Sequence, residues 1–239
     1  TWTQQMDAIY NQICEHLEND KGDLILVQGK ACVGKTTLNR VLLAECRARE
    51  MVGLVCAPTA LAASLYEHGM TCHEACKLNV VEDEQWKSYS SRLQSFPGRC
   101  ELLIACRLLI IDEVYNVHRG NFNAMIKALQ QIRNSTHHSA GMIIICTGDI
   151  HQIPPVVQNG SKTRILNASV VANPTYQHTT KFHLTIPQRT LPTEIEFREL
   201  LDQIGADTKP HATHMDDQPL VQLDDIHTVS YTHLTLPTM

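Results

Sequence analysis

Residues 23–37 read DLILVQGKACVGKTT, and the fold follows from them. Asp23–Gln28 is an apolar run of strand length. Gly29-Lys30-Ala31-Cys32-Val33-Gly34-Lys35-Thr36 has the spacing of a P-loop, and a helical pattern runs from Thr36 to Arg49. A strand, a glycine-bounded turn and a helix in that order make an anion site. The glycines let backbone N–H groups turn inward, and the positive end of the next helix lies behind them. Average residue frequencies put a chance match in a chain of this length at about one in a hundred, and the flanking strand and helix lower those odds further. Lys35 is therefore expected at the β- and γ-phosphates of a nucleotide and Thr36 at Mg²⁺. Gly29 to Thr37 would form the cradle: Gly29, Lys30, Ala31, Cys32, Val33, Gly34, Lys35, Thr36 and Thr37.

Outward from that turn, apolar runs alternate with helical patterns, the signature of a mostly parallel sheet with helices on both faces. Met51–Ala57, Arg107–Ile111, Met142–Thr147 and Lys181–Leu184 read as further strands. Ala60 to about His68 reads as a helix, and so does the segment carrying Phe122, Met125, Ile126 and Leu129 at i, i+3, i+4, i+7. Residues 82–98 are polar, end in Phe-Pro-Gly and read as an exposed loop or insertion. Glu194–Ile204 reads as a terminal helix.

Two more segments carry chemistry. Leu108-Leu-Ile-Ile-Asp112-Glu113 is a buried strand ending in paired carboxylates. Beside a P-loop, Asp112 would hold Mg²⁺, usually through water, and Glu113 would orient or deprotonate an attacking water. Thr147-Gly-Asp-Ile-His-Gln152-Ile-Pro-Pro brings an amide, Gln152, to where it can sense a γ-phosphate, with two prolines stiffening the chain after it. Cys72-x₃-Cys76 with His68 and His73 lacks the second close cysteine pair of a zinc site, so no metal role is assigned to it.

The ordered set GKACVGKTT, CAPTALAASL, GMTCHEAC, LLIIDEV, TGDIHQIPPV and HLTIPQRT resembles the Pif-type (petite integration frequency) DNA helicases, relatives of RecD in helicase superfamily one. The stretch GDIHQIPPVVQNGSKTRILNAS is especially similar to the helicase part of Helitron-like proteins. The resemblance covers residues 1–205 and implies a RecA-like α/β domain, the first of two motor domains. It further implies 5′ to 3′ translocation on single-stranded DNA driven by ATP and Mg²⁺. Gln5 would recognise adenine, and Pro58, Thr59, Ala60, Thr71 and His73 would touch single-stranded DNA. Gln152 would couple nucleotide state to motion, and Arg189 would reach the γ-phosphate. Work on DNA repair, recombination and telomeres in the nucleus is the implied setting, with mitochondrion or cytoplasm as alternatives. The chain departs from the usual residues at Cys32-Val33 (Gly-Thr), His151 (Arg), Val114-Tyr115-Asn116 and Pro187 (Asn). The first pair is expected to be tolerated because P-loops vary there.

Composition bounds these readings. Hydrophobic residues make up 43% and charged ones 19%, the balance of a globular chain. The apolar runs are too short to span a bilayer, so no membrane partner is expected. Nine cysteines without regular spacing read as free thiols, with Cys56, Cys106 and Cys146 as small core residues. The net charge of −5 is concentrated in residues 207–228, where five aspartates face one lysine. A DNA contact would thus rest on a few placed groups. Residues 206–228 read as an acidic linker or the start of a further region. Residues 229–238, VSYTHLTLPT, match the translation of a transposase adapter from sequencing libraries, so 229–239 are expected to be foreign to the protein. The second motor domain would then be missing here. A non-helicase P-loop ATPase or an inactive nucleotide-binding transposon relic are the alternatives.

Overall fold

A computed structural model describes residues 2–79, 89–152, 161–188, 211–215 and 218–221. The chain divides into two compact units, Thr1–Arg189 and Thr190–Met239.

The first unit is built on a six-stranded, wholly parallel sheet. In chain order it comprises helix α1 (Gln4–Glu18), β1 (Asp23–Gly29), α2 (Lys35–Ala48), β2 (Val52–Ala57), α3 (Ala60–Ala63), β3 (Met70–Thr71) and α4 (Cys72–Cys76). Then come α5 (Pro97–Ala105), β4 (Cys106–Ile111), α6 (Arg119–Ile132), β5 (Ile143–Gly148), α7 (Lys162–Ala168) and β6 (Thr180–Leu184). The strands lie in the order β3-β2-β4-β5-β1-β6, with each neighbouring pair parallel.

Alternation along the strands explains why both faces are covered. Ile25, Val27, Val55, Leu108, Ile110, Ile143 and Ile145 point to one face. There they pack with Met6, Ile9, Ile13 and Leu17 of α1 and Leu38, Leu42 and Cys46 of α2. Leu24, Leu26, Leu109, Ile111, Ile144 and Cys146 point to the other face, against Cys72 and Cys76 of α4, Leu103 of α5 and Phe122, Met125 and Leu129 of α6. Strands buried on both sides read as continuous apolar runs, as these do. All nine cysteines are free, and Cys56, Cys106 and Cys146 are core residues.

Two expectations change, and one element is unexpected. The helix expected over Ala60 to about His68 stops at Ala63. Beyond it the bonds are of the i to i−3 kind, from the N–H of Leu65, Tyr66 and Gly69 to Ala62, Ala63 and Tyr66. The chain turns back so tightly that a Cβ on Gly69 would strike the Ala63 carbonyl, and Tyr66 tucks into the interior at 5% exposure. Of the expected loop over 82–98, residues 82–88 lie outside the described residues, and the remainder is not uniformly exposed. Leu93 is fully buried, Ser91 bridges to Leu78, and Phe96-Pro97-Gly98 starts α5 with proline in its first turn, where a missing N–H costs nothing. The opening segment, assigned no element from sequence, is α1, capped by the Thr3 hydroxyl on the Met6 N–H.

In the second unit β7 (His211–Met215) pairs antiparallel with β8 (Gln218–Val221). The expected helix 194–204 and the segment 229–239 lie outside the described residues.

Candidate nucleotide and DNA site

Because the strands are parallel, all six carboxyl ends lie along one edge of the sheet, and every described candidate residue except Gln5 ends or follows one of the strands. β1 leads into the phosphate loop. Gly34, at φ 94°, turns the chain into α2, and a Cβ there would run into the Met6 methyl of α1; both facts call for glycine. Cys32 also takes a left-handed conformation, φ 67°. The departure from glycine at this position is therefore not neutral, since an L side chain there costs roughly 1–2 kcal/mol.

Lys35, 7% exposed, donates from Nζ to the carbonyls of Gly29 (2.7 Å) and Lys30 (2.8 Å), which hold the ammonium at the mouth of the loop. Burial lowers its pKa, while the charges of Glu113, Asp149 and Asp112 oppose that shift. The three carboxylates come from neighbouring strand ends, Asp112 and Glu113 after β4 and Asp149 after β5. Glu113 sits at φ 52°, and its pKa is raised by burial and by Asp112, with Lys35 pulling the other way.

Asp112, 3% exposed, is held on both oxygens. Thr147 Oγ1 donates to Oδ1 at 2.6 Å, as does the Glu113 N–H at 2.9 Å, and Tyr66 Oη donates to Oδ2 at 2.5 Å. Behind the two hydroxyls stands Asn39, whose Nδ2 donates to Tyr66 Oη (2.9 Å) and Thr147 Oγ1 (3.1 Å). Thr36 follows Lys35 in the first turn of α2. The pair Asp112 and Thr36 suits Mg²⁺, which keeps several waters and takes one or two carboxylates plus phosphate oxygens rather than an all-protein cage.

The loop after β5 is fixed by Asp149, whose side chain accepts from the His151 N–H (3.0 Å) and whose carbonyl accepts from the Gln152 N–H (3.2 Å). Gln152 is half-buried. After β6, Thr185 is clamped by Gln5, accepting from its Nε2 at 2.9 Å and donating its N–H to Oε1 at 3.0 Å. That ties the start of α1 to the same edge. The Gln188 N–H donates to the Cys32 carbonyl at 2.7 Å, so the residue before Arg189 docks on the phosphate loop. Arg189 itself lies outside the described residues.

Toward the other end of the edge, Pro58, Thr59 and Ala60 follow β2. Thr59 caps α3, accepting from the Ala62 N–H, and Thr71 caps α4, accepting from the Glu74 N–H. Each hydroxyl keeps its own hydrogen to donate. His73 is half-buried in α4. Cys72 and Cys76 face the core, Cys72 Sγ lying 3.8 Å from Cys56 Sγ, whereas the side chain of His68 is exposed.

Sequence reasoning missed Asp149, Tyr66, Asn39 and Thr147. Asp149 had a signal, being the acid beside Gln152 at a strand end. Tyr66 fell inside the expected helix, and nothing in the local sequence marks Asn39.

A family described as PIF1-like helicase matches residues 1–211. The ATP-dependent DNA helicase PIF1 of Emericella nidulans is 26% identical over 190 residues, 77% of this chain and 25% of the fungal protein. A Bacteroides Pif1 helicase solved with ADP-AlF3 and single-stranded DNA is 27% identical, with a TM-score of 0.65 over 88% of this chain and 47% of that one. The Pif1 helicase of Candida albicans shares the fold at a TM-score of 0.70, covering 86% of this chain and 44% of that one at 19% identity. This chain thus spans about a quarter of the fungal relative and under half of each of these solved helicases.

Proposed function

The chain belongs to the PIF1-like helicase family, and from that premise we propose that it is the first, nucleotide-binding motor domain of an ATP-dependent DNA helicase. The observation that carries the reading is the Lys35 ammonium held by the Gly29 and Lys30 carbonyls at the end of β1, with Asp149 following the neighbouring strand β5 and Asp112 and Glu113 following β4 beside it. This is an arrangement for a polyphosphate and a divalent cation.

In this reading Lys35 spans the β- and γ-phosphates. Thr36 and Asp112 would hold Mg²⁺, which when bound would offset charge on the phosphates. Glu113 orients the attacking water and accepts its proton, a role its raised pKa suits. Gln152 reports the γ-phosphate to the rest of the motor, and Arg189 reaches the same phosphate. Gln5 reads adenine from the first turn of α1. Single-stranded DNA runs past Pro58, Thr59, Ala60, Thr71 and His73, through hydroxyl donors rather than a basic face.

A second motor domain closes the cleft and contributes a further arginine, whose absence costs on the order of 10³–10⁵ in rate. The likeness to a fungal helicase supports the nucleus as the place of action, with the mitochondrion or cytoplasm as alternatives. The Bacteroides helicase solved with a nucleotide analogue and single-stranded DNA supports both ligands.

Nucleotide binding, fluorescent oligothymidylate binding and strand displacement, measured together on the 239-residue chain, test the reading. The expected outcome is Mg-nucleotide binding and weak, salt-sensitive oligothymidylate binding, with no displacement until a second motor domain is joined. Robust ATP-dependent displacement by this chain alone contradicts the two-domain part. Failure to bind oligothymidylate in any nucleotide state contradicts the DNA part.

A further inference from the structure

The polar cluster behind Asp112 has a direction that can be read from its donors. Asn39 is fully buried in α2, and its Nδ2 touches two hydroxyl oxygens, Tyr66 Oη and Thr147 Oγ1. Each of those hydroxyls touches a different oxygen of Asp112, Tyr66 at Oδ2 and Thr147 at Oδ1. A hydroxyl has one hydrogen to give. Were the Asn39 amide reversed, both hydroxyls would have to donate to its oxygen, leaving two bare oxygens against a buried carboxylate. The amide must therefore donate to both hydroxyls, and both hydroxyls must donate to Asp112. The cost of that orientation is visible: Asn39 Oδ1 is buried and, among the described residues, has no hydrogen-bond partner. Leaving such an acceptor unmet costs about 1–3 kcal/mol, which the two outgoing bonds offset.

An ionised carboxylate offers about four acceptor positions. Oδ1 receives Thr147 Oγ1 and the Glu113 N–H, and Oδ2 receives Tyr66 Oη. One position remains, on Oδ2. That suits the acid's role of accepting from a single water of a hydrated cation.

We propose that Asn39 and Tyr66 are positioning residues for the divalent cation, forming a one-way hydrogen-bond relay with Thr147 that fixes the plane of Asp112 and leaves one acceptor for a cation-bound water. The inference rests on Asp112 being the cation-side acid of the nucleotide site. Groups that orient a metal-side acid commonly change metal affinity by about 10–100-fold when removed.

The test measures the affinity of the full chain for a fluorescent ADP analogue in EDTA and across a Mg²⁺ titration. The parent is compared with Tyr66→Phe, Asn39→Leu, the double variant and Asp112→Asn, with the ligand-free thermal midpoint read alongside. The relay predicts that Tyr66→Phe weakens apparent Mg²⁺ affinity about tenfold and leaves the EDTA affinity unchanged. It also predicts that Asn39→Leu in the Tyr66→Phe background adds less than it does alone. A purely structural role would lower the midpoint and leave the Mg²⁺ titration where it was, and that result overturns the inference. If Asp112→Asn shifts the Mg²⁺ titration while neither Tyr66→Phe nor Asn39→Leu does, the relay alone is wrong. If Asp112→Asn shifts nothing either, the assignment of Asp112 falls and the relay with it. Should Tyr66→Phe not fold, Asn39→Leu carries the same expectation, because it removes the donor behind both hydroxyls and leaves them in place.

Discussion

Cys32 and Glu113 both sit at positive φ, 67° and 52°, and the two positions carry different consequences. At Cys32 the left-handed backbone costs a residue other than glycine roughly 1–2 kcal/mol. Glycine adopts that conformation freely but gives back part of the gain by loosening the unfolded chain. Cys32→Gly should therefore raise stability by up to about 1 kcal/mol, a rise in thermal midpoint of roughly 2–4 °C for a unit of this size. A lowered midpoint would show that the loop gains something from the cysteine. At Glu113 the carboxyl is what matters. Burial and the neighbouring Asp112 push its pKa up, and Lys35 restrains it. Since a positive neighbour favours the charged carboxylate, Lys35→Met removes the restraint and should move the Glu113 titration higher still. Carbon-13 NMR of the labelled carboxyl measures this, and a titration that stayed put or fell would mean that the two groups do not interact.

At the scale of elements, α3 and α4 show how structure and contact are shared. Each is a single short helix whose N-terminus depends on a threonine, Thr59 or Thr71. Alanine at Thr59 should cost about 1 kcal/mol through the lost cap, so weaker DNA binding by that variant would be ambiguous. Aspartate separates the two roles: it caps as well as threonine but sets a negative charge toward a phosphate. Thr59→Asp should keep the thermal midpoint within a degree or two of the parent, roughly 0.5 kcal/mol, and lose oligothymidylate binding. Unchanged binding would remove Thr59 from the DNA path. These short helices also mark where the sequence stops being legible. β1, β2, β4 and β5 could be read because a strand buried on both faces is a continuous apolar run, and α6 because its fourteen residues display the helical period. β3 and α4, two and five residues long, are too short to show any period. The Pro97-Gly98 that opens α5 has the composition of a turn. In the site, Lys35, Asp112 and Glu113 are legible because their chemistry depends on spacing along the chain. Tyr66 and Asn39 are not, because what they do depends on contacts made 46, 27 and 108 residues away.

Over the whole of the first unit, the parallel sheet turns six separate pieces of sequence into one functional edge. The order β3-β2-β4-β5-β1-β6 puts the phosphate loop three strand spacings from Pro58–Ala60, about 14 Å, with Asp112, Glu113 and Asp149 on the two strands between. Under the proposed reading, the groups assigned to nucleotide and to DNA would then share one sheet edge. A ligand seated in the loop also stabilises the unit as a whole, by about 2.7 kcal/mol at a hundred times its dissociation constant. The most direct test of the central assignment is the thermal midpoint of the chain with a non-hydrolysable Mg-ATP analogue at that excess, for the parent and for Lys35→Ala, each compared with its own ligand-free midpoint. The parent should rise by roughly 5–10 °C and Lys35→Ala by little or nothing, because no neighbour replaces the ammonium at the phosphates. An equal rise in both proteins, or none in the parent, would contradict the nucleotide site built around Lys35.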